Sequence, residues 1–362
     1  MIEFESVTKR FGDGPPAVEH LDLEIRDGEL TVLVGPSGCG KTTSLRMINR
    51  LEELSEGRIR VDGRDIMSMD RIELRRGIGY VMQTSGLFPH RRIRENIATV
   101  PYLLGWDRDR IERRVQELVE MVGLAPDLLD RYPHALSGGQ QQRVGVARAL
   151  AADPPIMLMD EPFAAVDPIV RTRLQDELVR LQRRLHKTIV FVTHDIDEAI
   201  KIGDRIAVLR EPGQVAQYAA PTELLAAPAD AFVTDFLGHE RELRRLALVR
   251  VHEVEPEEAP AVTLGESADS ARETAARLGR DWVVVVDADR RPRGWAPLDR
   301  LDGGTVDAAV AGPFKYTVSG DDSLRAALNA IVASAVAAAP RVDAQGRLEG
   351  LVTHASLSRT LS

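Results

Sequence analysis

Four short, almost wholly apolar runs punctuate the first two thirds of the chain: Leu30–Val34, Ile156–Met159, Ile189–Val192 and Ile206–Leu209. Runs of this length, separated by longer stretches of helical period, are what buried strands of a parallel sheet leave in a sequence. The pattern predicts an α/β domain over residues 1–240, with helices packed on a central, mostly parallel sheet. A charged stretch, His239–Arg245, follows, and the texture then changes. From about Val249 the chain repeats itself at a shift of 56 residues. Asp287 and Gly294 map onto Asp343 and Gly350, Val262 onto Val318, Ser267 onto Ser323 and Ala271 onto Ala327. Each copy reads as a turn, an amphipathic helix, a strand ending in an Asp turn, a second strand and a short helix. A small duplicated α/β domain is therefore expected over residues 250–362, with repeats of about 250–304 and 305–362.

Composition narrows the options. Of 362 residues one is cysteine, Cys39, which excludes an internal disulfide and an all-cysteine zinc site. The 47 basic and 56 acidic side chains give a formal charge of −9. From Arg250 onward there are 17 acidic and 13 basic residues, so the acidity is shared by both parts and hides no basic face. Nucleic acid is accordingly not an expected partner. Met1–Arg10 carries charge and no apolar leader core, and no window approaches the roughly 18 apolar residues of a membrane span. The apolar run Ala326–Ala339 comes nearest, but it is short and holds Asn329 and Ser334.

The sharpest chemistry lies at Gly35-Pro36-Ser37-Gly38-Cys39-Gly40-Lys41-Thr42, a match to G-x-x-x-x-G-K-[ST] between an apolar strand and a helix-like run, Ser44–Leu51. Glycines let successive backbone N–H groups turn onto phosphate oxygens, the helix end adds its dipole, and Lys41 supplies a point charge. The Thr42 hydroxyl suits Mg²⁺. Ile156–Met159 runs into Asp160-Glu161: a parallel strand would bring Asp160 beside Thr42 to hold the metal. Glu161 would take a proton from an attacking water. Leu136-Ser137-Gly138-Gly139-Gln140 precedes a helix expected from near Gln140 to Ala152, with Ser137 as its cap. Cys39, inside the loop, is expected to be shielded by bound ATP.

With this pentapeptide between the phosphate loop and the Asp-Glu strand, the chain resembles the ATP-binding-cassette (ABC) family over Met1–Gly238. The resemblance implies a P-loop NTPase fold, a mixed, mostly parallel sheet with a helical subdomain. It implies ATP and Mg²⁺, with Gly35 to Thr43 (Thr43 included) as the phosphate cradle and Phe11 stacked on adenine. Thr42, Gln83 and Asp160 would serve the metal, and Glu161, His194 and Gln83 catalysis. It also implies that Ser137, Gly138, Gly139, Gln140 and Asp167, in Ala164-Ala165-Val166-Asp167, act across a pair of copies facing head to tail. A second copy of the chain is thus an expected partner. The apolar loop Gly86-Leu87-Phe88-Pro89-His90 is where a polytopic membrane permease would dock.

A repair ATPase of this superfamily would carry long insertions and a translation factor two cassettes; neither is present. The closer resemblance is to ATPase subunits of quaternary-amine (glycine betaine, carnitine, choline) importers. It rests on residues 79–106 (GYVMQTSGLFPHRRIRENIATVPYLLGW), 131–168 and 190–208. That group often carries a tandem CBS module, which the duplication resembles. The implied system has an extracytoplasmic substrate-binding protein and places this subunit peripherally on the cytoplasmic face of a bacterial membrane. An adenine nucleotide or cyclic dinucleotide at the CBS pair stands beside a purely structural or dimerising role. The first copy diverges, Trp295-Ala296-Pro297 standing for Leu351-Val352-Thr353. Two alternatives stay open: an importer of amino acids such as proline or methionine, and a soluble CBS-regulated ATPase without a permease.

Overall fold

A computed structural model of the chain describes residues 1–84, 86–164, 166–301, 304–307 and 311–361. Ser85 and Ala165, both within segments singled out above, lie outside the described residues. The chain divides into two compact units, Met1–Gly238 and His239–Ser362.

Among the described residues the first unit holds ten strands: β1 (Ile2–Arg10), β2 (Pro16–Ile25), β3 (Leu30–Val34), β4 (Glu56–Val61), β5 (Arg64–Asp65), β6 (Ile78–Val81), β7 (Ile156–Asp160), β8 (Thr188–Val192), β9 (Arg205–Arg210) and β10 (Gln214–Ala219). An antiparallel sheet runs β2-β1-β4-β5, and a six-stranded one runs β10-β9-β3-β8-β7-β6. In the larger sheet β9, β3, β8, β7 and β6 are parallel and β10 is antiparallel at the edge. Every residue of β3, β7 and β8 is buried, the reason their sequences run apolar without alternation. Where polar side chains enter, they are paired: the Thr31 hydroxyl lies 3.1 Å from that of Tyr218, and Thr188 donates to Asp27 at 2.7 Å. The order puts the C-terminal ends of β3, β8, β7 and β6 side by side, so the segments after them converge on one edge, the usual ligand edge of an open α/β sheet.

Two helices differ from the expected bounds. The helix after β3 is Lys41–Ile48, starting three residues early because Gly40 (φ 95°) makes the turn and leaves Lys41 as the first helical residue. The helix after Ser137 is Gly138–Leu150. Ser137 accepts the Gln140 N–H at 3.3 Å and the Gln140 side chain accepts the Ser137 N–H at 2.9 Å, a reciprocal cap that draws both glycines into the first turn.

The second unit contains β11 (Ala261–Thr263), β12 (Trp282–Val286), β13 (Pro292–Pro297), β14 (Val318–Ser319), β15 (Ala338–Val342) and β16 (Leu348–Thr353). They form two three-stranded sheets, β11-β12-β13 and β14-β15-β16. The pairings are identical under the 56-residue shift: Val285 faces Gly294 as Arg341 faces Gly350, and Trp282 faces Pro297 as Ala338 faces Thr353. Each repeat carries the same Asp turn. Asp287 Oδ1 accepts the N–H groups of Asp289 and Arg291, and Asp343 Oδ1 those of Gln345 and Arg347. Ser267 and Ser323 cap the equivalent helices Ala268–Arg277 and Leu324–Val332. Trp282, Val284 and Val286 of the first repeat share a core with Ala338, Leu348 and Leu351 of the second.

The expected opening turns are the short strands β11 and β14, and the closing helix of the first copy shrinks to one 3₁₀ turn, Leu298–Arg300, against His354–Leu361 in the second. The apolar run Ala326–Ala339 is split between a helix and β15. His239–Arg245 leads into a helix, Arg241–Leu248, whose Leu246 is buried with Val251, Val254 and Leu324. Leu246 is the one buried residue of this helix, so the stretch reads as polar although a single side chain pins it to the core.

Candidate nucleotide site

The phosphate loop leaves β3 at Gly35, whose φ of 154° and surroundings admit no side chain: a Cβ there would lie 2.2 Å from the Leu209 carbonyl oxygen and 2.8 Å from the Cys39 sulfur. At the other end a Cβ on Gly40 would meet the Ala17 carbonyl at 2.6 Å. The loop is packed from behind by β2 and β9, and within it the Cys39 N–H donates to Pro36 O at 3.4 Å. Lys41, 7 % exposed, donates to the carbonyls of Gly35 (2.8 Å) and Pro36 (2.7 Å). The third donor of its ammonium reaches the Cys39 sulfur at 3.7 Å.

Thr42 donates to Asp160 Oδ1 at 2.8 Å, joining the helix after the loop to the last residue of β7. Asp160 is 1 % exposed, and burial raises the pKa of its carboxyl. Its Oδ2 is buried without a hydrogen bond, with the Arg46 guanidinium 3.6 Å away. A hydroxyl, a carboxylate with an unsatisfied oxygen and the nearby Gln83 amide form an all-oxygen donor set that fits Mg²⁺.

Glu161 follows with φ 45°, a left-handed conformation fixed by its N–H donating to Val192 O of β8 at 3.0 Å. Its two oxygens are shared: Oε1 lies 3.2 Å from His194 Nδ1, and Oε2 accepts from Gln83 Nε2 at 3.4 Å. Three residues from the ends of β6, β7 and β8 thus meet at one carboxylate. A cavity of about 780 Å³ opens over the loop, lined by Gly35, Pro36, Ser37, Gly38, Gly40, Lys41, Thr42, Thr43, Gln83, Glu161, His194 and Phe236.

Cys39 is absent from that lining. Its thiol is fully buried against Gly35 and Lys41, and burial raises its pKa, so the protein itself does the shielding expected of bound ATP. Phe11 also stands outside the lining, 52 % exposed, with the Lys9 ammonium 4.6 Å above its ring. Ser137, Gly138, Gly139 and Gln140 lie on a separate surface at the start of their helix. Asp167 is exposed and caps the helix Pro168–Leu185 by accepting the Ile169 N–H at 3.0 Å. Within one chain these five residues do not join the cavity.

The loop Gly86–His90 presents Phe88, 38 % exposed, beside a groove of about 360 Å³ that also touches Tyr80, Met82, Val100 and Arg148. Buried Asn96 clamps it, accepting the Phe88 N–H at 2.7 Å, and Arg148 donates to Gly86 O at 2.7 Å. Phe236 is the cavity residue that no motif announced. It stands 42 residues beyond His194, and its one sequence cue is an aromatic pair, Phe232 and Phe236, at helical spacing.

A model of the ABC transporter family matches residues 18–164. The glycine betaine/carnitine/choline transport ATP-binding protein OpuCA of Bacillus subtilis is 46% identical, the match spanning 99% of this chain and 95% of that protein. The osmoprotectant import ATP-binding protein OsmV of Salmonella typhimurium is 45% identical over 100% of this chain and 96% of its own length. Among solved structures, the dimeric post-hydrolysis state of the ATP-binding cassette MJ0796 bound to ADP and Pi is 35% identical with a TM-score of 0.57, covering 61% of this chain and 99% of that one.

Proposed function

As the chain belongs to the ABC-transporter ATP-binding proteins of the quaternary-amine osmoprotectant importers, we propose that it hydrolyses ATP to drive uptake of glycine betaine, carnitine or choline through a partner membrane permease. The observation that carries this reading is the meeting of Lys41, the Thr42–Asp160 pair and the Gln83–Glu161–His194 cluster around one cavity.

The loop amides and the Lys41 ammonium would hold the β and γ phosphates. Thr42, Gln83 and Asp160 would hold Mg²⁺, which when bound offsets the phosphate charge. Glu161 would accept a proton from the attacking water at a carboxylate oxygen, with Gln83 and His194 fixing that carboxylate between them. Phe11 would stack on adenine. Ser137 to Gln140 and Asp167, facing away from the cavity of their own chain, would complete the site of a second copy, with hydrolysis releasing the closed pair. The groove beside Phe88 would receive a cytoplasmic segment of the permease. No helix among the described residues is long and apolar enough to cross a membrane. We accordingly place the subunit peripherally on the cytoplasmic face, in a system fed by an extracytoplasmic substrate-binding protein. The second unit reads as a tandem CBS-type regulatory module, with an adenine nucleotide or cyclic dinucleotide the first ligand class to test.

The experiment is ATPase activity of the chain reconstituted with its permease and binding protein, titrated with glycine betaine, choline, proline and methionine at low and high salt. Stimulation by the quaternary amines is the expected result. Stimulation by proline or methionine alone, or full activity indifferent to the permease, overturns the reading.

A further inference from the structure

Eleven of the twelve residues lining the nucleotide cavity belong to the loop Gly35–Thr43 or to the Gln83–Glu161–His194 cluster; the twelfth, Phe236, comes from the helix Ala231–Leu237. This helix is closely fixed. Asp230 caps it, accepting the Val233 N–H at 2.9 Å, and also accepts from the Arg210 guanidinium at 3.0 Å. Arg210 lies 5.6 Å from the Phe232 ring centroid, and Phe232 stacks on Phe236 at 6.4 Å with an interplanar angle of 17°. Arg210 ends β9, and the next residue, Glu211, reaches the phosphate loop: its carboxylate would lie 3.1 Å from a Cβ on Gly38. Contacts therefore run from Gly38 through Glu211, Arg210 and Phe232 to Phe236, and return to the cavity.

On the adjoining face the helix is anchored by Val233 and Leu237, both fully buried. It stops at Gly238, with φ 70°, the last residue of the first unit. An aromatic ring in the phosphate cavity thus stands three residues before His239, where the second unit begins.

We propose that Phe236 contacts the bound nucleotide and ties occupancy of the cavity to the segment leading into the C-terminal unit. The proposal rests on the ATP-binding reading above. A phenyl ring cannot hydrogen-bond a phosphate; its part is to keep water from one wall of the site, where the charge on Lys41 then acts in a lower dielectric. Because the ring is carried by a short helix wedged between two buried anchors, a ligand that presses on it acts on the whole helix and on Gly238. Only Leu237 and Gly238 then separate this ring from the start of the second unit.

The test uses the full chain carrying Phe236→Ala, Phe236→Leu or Phe236→Tyr. ATP KM and kcat are measured in the reconstituted complex. Hydrogen exchange of residues 239–248 is measured with and without ATP in a Glu161→Gln background. Losing part of the burial of one phenyl ring predicts a KM raised roughly tenfold in Phe236→Ala, with kcat changed less than about twofold. ATP-induced protection of residues 239–248 is lost in the same variant, and Phe236→Tyr recovers most of both. Should Phe236→Ala fail to fold, Phe236→Leu carries the comparison with the same signs and smaller size. A wild-type KM in the variants, or ATP-induced protection that survives them, overturns the proposal. Wild-type ATP affinity in Lys41→Ala overturns instead the underlying ATP-site reading.

Discussion

Glu161→Gln separates the chemistry of the site from its architecture. The amide matches the carboxylate in size, keeps an oxygen and a nitrogen for the His194 and Gln83 contacts at 3.2 and 3.4 Å, and leaves the N–H to Val192 O untouched. Only proton acceptance is lost. A positioned general base is worth about 10²–10⁴ in rate, or roughly 2.7–5.4 kcal/mol of barrier. Steady-state phosphate release should therefore fall at least about 100-fold. ATP affinity should stay within about threefold, because Gly35, Lys41 and Thr42 do not change. With ATP the variant should accumulate as a closed dimer, seen as an earlier-eluting species that disappears when Mg²⁺ is chelated. The left-handed φ of 45° adds a control. An L-residue there costs about 1–2 kcal/mol, which glycine avoids while gaining about 0.5–1 kcal/mol of unfolded-chain freedom. Glu161→Gly should then lose activity without losing thermal stability, marking a position held against local preference for its chemistry. A Glu161→Gln variant that retains more than a tenth of the wild-type turnover would refute the assignment.

Gly35→Ala forces a Cβ to within 2.2 Å of the Leu209 carbonyl, so urea unfolding should show a loss of about 1–3 kcal/mol together with loss of ATP binding. Asp287 and Asp343 have pKa values below the usual 3.8, first because the backbone N–H groups of Arg291 and Arg347 bond the carboxylates. Their contribution to stability is present above that value and is lost as pH falls from it through their folded-state pKa values. Acid melting of the second unit, followed through Trp282 and Trp295, should be less steep in Asp287→Asn/Asp343→Asn; an unchanged slope would count against the turns. Cys39, buried and with a raised pKa, should resist iodoacetamide equally with and without ATP and react only on unfolding. ATP-dependent protection of the native thiol would contradict the burial.

What the chain discloses on inspection is what rests on contiguous chemistry. The phosphate loop declares itself because cradling a polyphosphate demands glycines at fixed spacing, and β7 because an unbroken apolar run must end in the two acids it delivers. The duplication is legible because the Asp turn and the Ser267 and Ser323 caps impose the same residue types at the same register. Features set by distant contacts are not legible. Cys39 is sealed in a core it shares with Val18 and Leu209, and Phe236 reaches the cavity through a helix 42 residues past His194. Arg241–Leu248 reads as polar because its one buried side chain, Leu246, finds its partners far along the chain at Leu324 and beyond.

The setting of Lys41 has a consequence for the energetics of the whole cassette. Its ammonium is buried, and its polar neighbours among the described residues are two carbonyls and a neutral thiol rather than a carboxylate. Holding an ammonium against such dipoles costs free energy that a bound phosphate would offset. Part of the affinity for a triphosphate is the removal of that stress rather than the gain of new contacts. A neutral side chain such as methionine at position 41 would then fold to a more stable and inert protein. At this atom stability and function are opposing demands.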